Sequence, residues 1–280
     1  MRAFISVDLE GMPFVVSLEH LVEKGALYNE ARKIATEITL TAADALHRAG
    51  FDEVVIADSH GPMVNLLPEE LPEYVYLVRG YPRPMAMVAG AEGCDVALFL
   101  GYHAKAGTPY AIFDHTYSGA NVGKLELNGI EVSEFLQNGF AVGHFNIPVI
   151  LVGGDKKLLE DDVEKFTPWA ERVAFKEAFS RYSAISPSMK KIKKELENAV
   201  FRAVEKYKNG ETKPLKLDYP VRVKLTFNNS GMADAGELLP GARRIDGKTV
   251  EFEARDIIEA YKAFQLLVFA AGGVTSLLRR

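Results

Sequence analysis

Along the first two-thirds of the chain, short continuous apolar runs alternate with segments of helical periodicity. "FISVD" (4–8) leads through a polar loop into "NEARKIATEITLTAADALHRAG" (29–50), where Ala31, Ile34, Ala35, Ile38, Ala42, Ala43 and Leu46 recur at helical spacing. Asn29 is the expected N-cap of this helix and Gly50 its expected stop. "EVVIAD" (53–58) is the next apolar run, short enough for a strand buried on both faces. Strand, helix, strand makes a βαβ unit, whose crossover is right-handed. The pattern then repeats, with "VYLVRG" (75–80) as a strand, "PMAMVAGAEG" (84–93) as a short helix and "DVALFLG" (95–101) as a strand. "LELNGIEV" (125–132) is a hairpin signal centred on Asn128-Gly129. "SEFLQNGFAVGHF" (133–145) reads as helical and "IPVILVGGD" (147–155) as a further buried strand.

After residue 186 the texture changes. "SPSMKKIKKELENAVFRAVEKY" is a basic amphipathic helix, "VRVKLTFNN" (221–229) and "KTVEFEA" (248–254) alternate like half-exposed strands, and "RDIIEAYKAFQLLVFAAGG" closes the pattern as a helix. We therefore expect an α/β fold: a mostly parallel, layered α/β/α sheet domain over residues 1–186, and a smaller C-terminal α+β region over 187–280.

Composition narrows the function classes. The 280 residues, 48% hydrophobic and 25% charged, suit a globular chain with a substantial core. A net charge of −5 argues against nucleic acid as the main partner. Cys94 is the single cysteine, which excludes an intrachain disulfide and a Cys-rich zinc site. Runs such as "VALFLG" and "IPVILVGG" fall far short of the roughly 20 residues that span a bilayer, so no membrane partner is expected. The opening "MRAFISVD" reads as a strand and lacks the charged-then-apolar layout of a signal peptide, which leads us to expect a cytoplasmic protein.

The candidate chemistry sits at strand ends. In "ISVDLEG", Asp8 and Glu10 occupy alternate positions and so share a side of an extended chain. Their repulsion must be offset by a cation or by protonating one of them. "VVIADSHG" ends in Asp58 and His60, and "VALFLGYH" ends in His103. In open parallel sheets the ligand site lies outside the carboxyl ends of the strands, so these stretches deliver acids and imidazoles to one edge. Imidazole with carboxylate suits zinc, with a position left open for water, and Asp8 could bridge two metals. Asp58 is a further ligand or an acceptor that orients a histidine.

"HAKAGTPYAIFDHTYSG" (103–119) has the length and polarity of an active-site loop. His115 is there a candidate general base or nucleophile, or else a surface histidine. Lys105 is an oxyanion partner or a solvated charge. Glu131 and Glu134 follow the hairpin, and Glu134 in a first helical turn complements the helix dipole. His20, His47 and His144 lack such company and read as structural. Neither "DLEGMP" nor "VGGD" supplies G-x-G-x-x-G or a P-loop, so no nucleotide cofactor is expected.

Taken as a set, "SVDLEG", "DSHG", "LGYHAKAGTP", "DHT", "EFLQNG", "VGGD" and "PGARRIDGKTVEFEARDIIEAYKAF" resemble the zinc-dependent D-aminopeptidases of the DppA type, first labelled dipeptide-transport proteins. The resemblance implies that Asp8, Glu10, His60, His103 and Glu134 are metal ligands for two zinc ions per subunit, with Asp8 shared. Glu134 takes this role rather than Glu131, because "EFLQN" matches the family helix. His115 falls on the catalytic histidine. The implied reaction is hydrolysis of the N-terminal peptide bond of short peptides containing D-amino acids. The implied assembly is a ring-shaped homo-oligomer, a decamer being one expected count. Two other readings remain at this point: another zinc-dependent amidohydrolase or deacylase, and a dipeptide-binding protein without turnover.

Overall fold

In a computed structural model that describes residues 1–277, the apolar runs become neighbours in one sheet. The chain opens with β1 (Arg2–Val7), α1 (Tyr28–Arg48), β2 (Glu53–Asp58), β3 (Val75–Val78) and β4 (Val96–Tyr102). It then leaves for a hairpin, β5 (Val122–Leu127) and β6 (Ile130–Glu131), and returns through α2 (Glu134–His144) to β7 (Val149–Asp155). A helical stretch follows, made of α3 (Lys156–Leu158), a π-helical turn over Leu159–Val163 and α4 (Glu164–Phe166). Next come β8 (Glu171–Ser180), β9 (Ser183–Ile185) and α5 (Met189–Lys208). The last elements are β10 (Val221–Phe227), α6 (Ser230–Gly236), β11 (Arg243–Arg244), β12 (Thr249–Ala254) and α7 (Ile257–Leu277).

The main sheet runs in the order β3-β2-β1-β4-β7-β8-β9, with every pair parallel except β8 with β9. From β1 the chain builds outward through β2 to β3, then crosses to β4 on the other side. The gap between β1 and β4 is therefore the topological switch point, where an open α/β sheet leaves a crevice at its carboxyl edge. Continuous apolar runs suit these strands because both faces are covered. Ala3, Ile5, Val7, Leu98 and Leu100 pack with α1 and α5 on one face, whereas Phe4, Val55, Ala97 and Phe99 belong to a second core with α2 and the smaller sheet. That smaller sheet is antiparallel, in the order β11-β12-β10-β5-β6, with Asn128 (φ 51°) and Gly129 (φ 80°) forming the hairpin turn.

Several elements differ from the sequence reading. The boundary expected at residue 187 does not coincide with how the sheets divide the chain: β5 and β6 pair into the smaller sheet through β10, and α5 packs on α1, β7 and β8. Periodicity reports local pattern, and this exchange of elements rests on long-range pairing. Helix α1 begins after Leu27 without a side-chain cap, so Asn29 lies in its first turn and is not the N-cap. Only Ala86–Val88 of the expected helix at 84–93 turns helically, as 3-10, held between Pro84 and Gly90. Helix α7 is long and apolar enough to cross a membrane by composition alone, but its stripe of Ile257, Ala260, Tyr261, Phe264, Leu267 and Ala271 is buried in the core of this fold.

The carboxyl edge depends on backbones that nearly touch. Gly11 donates its N–H to the Gly101 carbonyl at 2.7 Å, and Asp8 donates its own to the Leu100 carbonyl at 2.8 Å. A Cβ on Gly101, whose φ is +76°, would lie 2.0 Å from the Asp8 carbonyl oxygen. Gly101→Ala is expected to cost about 2–4 kcal/mol, left-handed strain plus a backbone clash. Gly129→Ala has φ +80° with nothing within 4 Å, and is expected to cost only the strain, about 1–2 kcal/mol. Urea unfolding of both variants after chelation checks this; equal losses would show that the close approach is not a constraint.

Candidate metal centre

Four of the six acids and imidazoles reach the crevice because a strand ends just before them. Asp8 and Glu10 follow β1, His60 is the second residue after β2, and His103 is the residue after β4. Glu134 opens α2, whose N-cap Ser133 accepts the Leu136 N–H at 3.3 Å. His115 arrives on the long loop after β4. All but His115 are buried, and the His115 side chain is 18% exposed.

The three histidines follow one rule. His60 Nε2 is 2.9 Å from the Leu21 carbonyl, His103 Nδ1 is 3.0 Å from the Ala104 carbonyl, and His115 Nδ1 is 2.8 Å from the Phe113 carbonyl. A carbonyl only accepts, so in each ring the outer nitrogen carries the proton and the inner nitrogen points at the acids. His60 Nδ1 lies 2.8 Å from Glu10 and 3.3 Å from Asp8. His103 Nε2 lies 3.5 Å from Asp8 Oδ2 and 3.4 Å from Glu134. His115 Nε2 lies 3.4 Å from Glu134, with its ring stacked 4.3 Å from that of His103. Fixing a ring through its far nitrogen is how proteins orient imidazole toward a metal.

Burial and mutual repulsion set the charges. Burial and the neighbouring Glu10 push the Asp8 carboxyl well above its usual range. Burial acts the same way on Glu10 and Glu134, but the facing imidazoles outweigh it and hold both below the ordinary value. Burial works against a charged imidazole, yet Glu10 and Asp8 raise His60 well above normal, and Glu134 with the other acids raises His103 to about 10. His115 goes the other way: burial and the adjacent His103 lower it, leaving a neutral ring near pH 7.

Two atoms test whether a cation fits. Asp8 Oδ2 and His103 Nε2 are buried without a hydrogen-bond partner, and they face each other. Orphaned buried polar atoms are costly, and a divalent cation accepting electron pairs from both would remove the cost. Donor atoms of Asp8, Glu10 and His60 lie within 4.8 Å of one another, as do those of Asp8, His103 and Glu134 and those of Glu10, His103 and His115. Asp8 is common to the first two groups. The all nitrogen and oxygen donor set suits zinc.

The structure thus brings together Asp8, Glu10, His60, His103, Glu134 and His115. Other candidates lie elsewhere. Asp58 accepts from Asn65 Nδ2 at 2.6 Å and from the Leu66 N–H at 2.8 Å, so it holds the loop after His60 and not an imidazole. Lys105 pairs with Asp162 at 2.9 Å, and Glu131 sits on the smaller sheet near Lys124. His20 accepts the Ser17 N–H, His47 stacks on Tyr74 and His144 bonds Tyr219, all structural roles.

A cavity of about 310 Å³ opens over the cluster, walled by Met63, Tyr81, Met87, Tyr117, Val268 and Phe269. The sequence reading missed this wall. No local motif marks it, because its pieces come from three loops and from α7.

The profile of the D-aminopeptidase family, Peptidase_M55, matches residues 1–266. A D-aminopeptidase of Bacillus subtilis (strain 168) is 33% identical over 271 residues, covering 95% of this chain and 96% of that protein. The solved structure of the Zn-dependent D-aminopeptidase DppA from Bacillus subtilis, described as a self-compartmentalizing protease, is similar with a TM-score of 0.92 at 30% identity, covering 97% of this chain and 98% of that one.

Metal binding should release protons. His60 and His103 carry them below their raised pKa values and must lose them to donate to a cation. Calorimetric zinc titration in two buffers of different ionisation enthalpy is expected to show at least about one proton released per chain near neutral pH, with apparent affinity rising as pH rises. No release would mean that the imidazoles are already neutral.

Proposed function

Because this chain belongs to the D-aminopeptidase family of metallopeptidases, we propose that it hydrolyses the N-terminal peptide bond of short peptides carrying D-residues, at a centre holding two zinc ions. The observation that carries the two-metal reading is that Asp8, Glu10 and His103 are each common to two donor groups, Asp8 being the shared carboxylate with a buried, unpartnered oxygen. One carboxylate between two sites is the arrangement of two-metal hydrolases. In this reading Asp8, Glu10, His60, His103 and Glu134 hold the ions.

Zinc supplies Lewis-acid polarisation of the scissile carbonyl and acidifies water toward a pKa of about 7. The protein supplies the proton transfers. His115 is neutral near pH 7, its Nδ1 proton is engaged by the Phe113 carbonyl, and its Nε2 faces the acid cluster at the cavity wall. Nε2 takes a proton from the attacking water and returns it to the departing amine. A carboxylate oxygen of the cluster that the ions leave free would accept from the substrate's ammonium, which restricts cleavage to the N-terminal bond. The apolar wall of Met63, Met87 and Phe269 takes side chains. By analogy with the self-compartmentalizing relative, we also propose a homo-oligomer that encloses the sites.

Release of free amino acid from matched D-Ala and L-Ala dipeptides, by chelated and zinc-reloaded protein, tests this reading. Turnover is expected only after reloading, and faster on the D form. Absence of turnover at full zinc occupancy would point to another amide or to binding alone. His115→Ala is expected to keep its zinc and lose at least about a hundredfold in rate, whereas Asp8→Ala loses both. Full activity of zinc-loaded His115→Ala would remove that residue from the mechanism.

A further inference from the structure

The loop that delivers His115 has an unfavourable backbone. Tyr110, Phe113 and Tyr117 all have positive φ, at 55°, 45° and 59°, although none is glycine. Such residues persist only where surrounding contacts over-determine them. Phe113 and Asp114 are contacted by the β8–β9 hairpin. Arg181, at its turn, accepts the Phe113 N–H on its own carbonyl at 3.0 Å. Its Nη1 donates to the Asp114 carbonyl at 2.8 Å and pairs with the Asp114 carboxylate. The other carboxylate oxygen of Asp114 accepts the Gly107 N–H at 2.7 Å, tying the clamp back to the start of the loop. Below, buried Lys176 of β8 lies 5.9 Å from the centre of the Phe113 ring and donates to the Val15 carbonyl.

This clamp has a chemical target. The carbonyl of Phe113 fixes the His115 ring and its tautomer, and it lies between two held groups: the Phe113 N–H, bound by the Arg181 main-chain carbonyl, and Asp114, bound by the Arg181 side chain. We propose that the Arg181 side chain positions His115 for hydrolysis, holding the Asp114 carbonyl and carboxylate beside the Phe113 carbonyl so that His115 Nε2 faces the acid cluster. The proposal rests on the reading of His115 as the proton-transfer group. Arg181 is not among the residues that line the cavity over the cluster. Its side chain is 43% exposed, and exposed ion pairs contribute little to stability, so its replacement should leave folding nearly intact.

The test is a kinetic cycle on zinc-reloaded protein with a D-Ala dipeptide. Arg181→Ala is expected to lower kcat by about ten- to a hundredfold, the scale of a small misplacement, with KM within about twofold and zinc content unchanged. Arg181→Lys, which keeps the charge and a donor for Asp114 but loses the guanidinium Nε bond to Tyr182, is expected to recover part of the loss. Millimolar guanidinium should restore part of the Arg181→Ala rate, because the position is open to solvent. The double variant Arg181→Ala/His115→Ala should be no slower than His115→Ala alone, since a residue acting through His115 has nothing further to lose. Wild-type kcat in Arg181→Ala beside an inactive His115→Ala would overturn the clamp alone. Additive losses in the double variant would also overturn it, placing the effect of Arg181 elsewhere. A fully active His115→Ala would overturn both the clamp and the reading beneath it.

Discussion

Three carboxylates, Asp8, Glu10 and Glu134, are buried around one crevice, and the rest of the structure answers that fact. Like charges out of water repel strongly and must be matched or protonated. The chain supplies three imidazoles, each with its outer N–H bound to a main-chain carbonyl and its inner nitrogen turned to the acids. The partial match is itself informative. Glu10 is held low by its histidines, Asp8 is pushed high, and an oxygen of Asp8 faces an imidazole nitrogen that has no partner of its own. A site built only for stability would close that gap with a hydrogen bond or an apolar pair. One built for cations leaves it.

The crowding is produced by topology. Strand order reverses between β1 and β4, so the chain continuing from β1 and the end of β4 meet at the switch point, where an open α/β sheet leaves a crevice at its carboxyl edge. Glycines at 11, 101 and 154 let the backbones close to distances that a Cβ would forbid. Asp8 and His103 stand side by side because these strand ends do.

Much of this was legible in the sequence because buried parallel strands write themselves as unbroken apolar runs, and residues at their ends are counted from the run. His60 and His103 were placed that way, as were Asp8 and Glu10. Glu134 was separable from Glu131 only by a resemblance, since both flank the same turn and local pattern treats them alike; in the fold, one faces the histidines and the other faces Lys124. What periodicity could not carry was pairing at a distance. The return of β5 to β10 and the packing of α5 on α1 cross the boundary drawn at 187. Val268 and Phe269 approach the crevice from a helix near the other end of the chain, and the π turn, β8 and β9 within residues 156–185 lie outside every element expected from the pattern.

This separation in sequence corresponds to a separation of work in the fold. The acid and histidine cluster hangs from the edge of the parallel sheet, fixed by strand ends and main-chain carbonyls. The wall that a substrate side chain would touch comes from loops and from α7, on the face shared with the smaller sheet. Handedness can be read only at that wall. Once the ammonium and the scissile carbonyl of a peptide are anchored at the cluster, inverting the α-carbon exchanges the directions of side chain and hydrogen, and the anchors themselves cannot tell the two forms apart. A third contact must accept the side chain on one side and refuse it on the other. On the proposed reading, the chemistry of the centre and a preference for one hand rest on different elements: Asp8 and its neighbours would set whether an amide is cut, and the wall that includes Met87 and Phe269 would set whose amide it is.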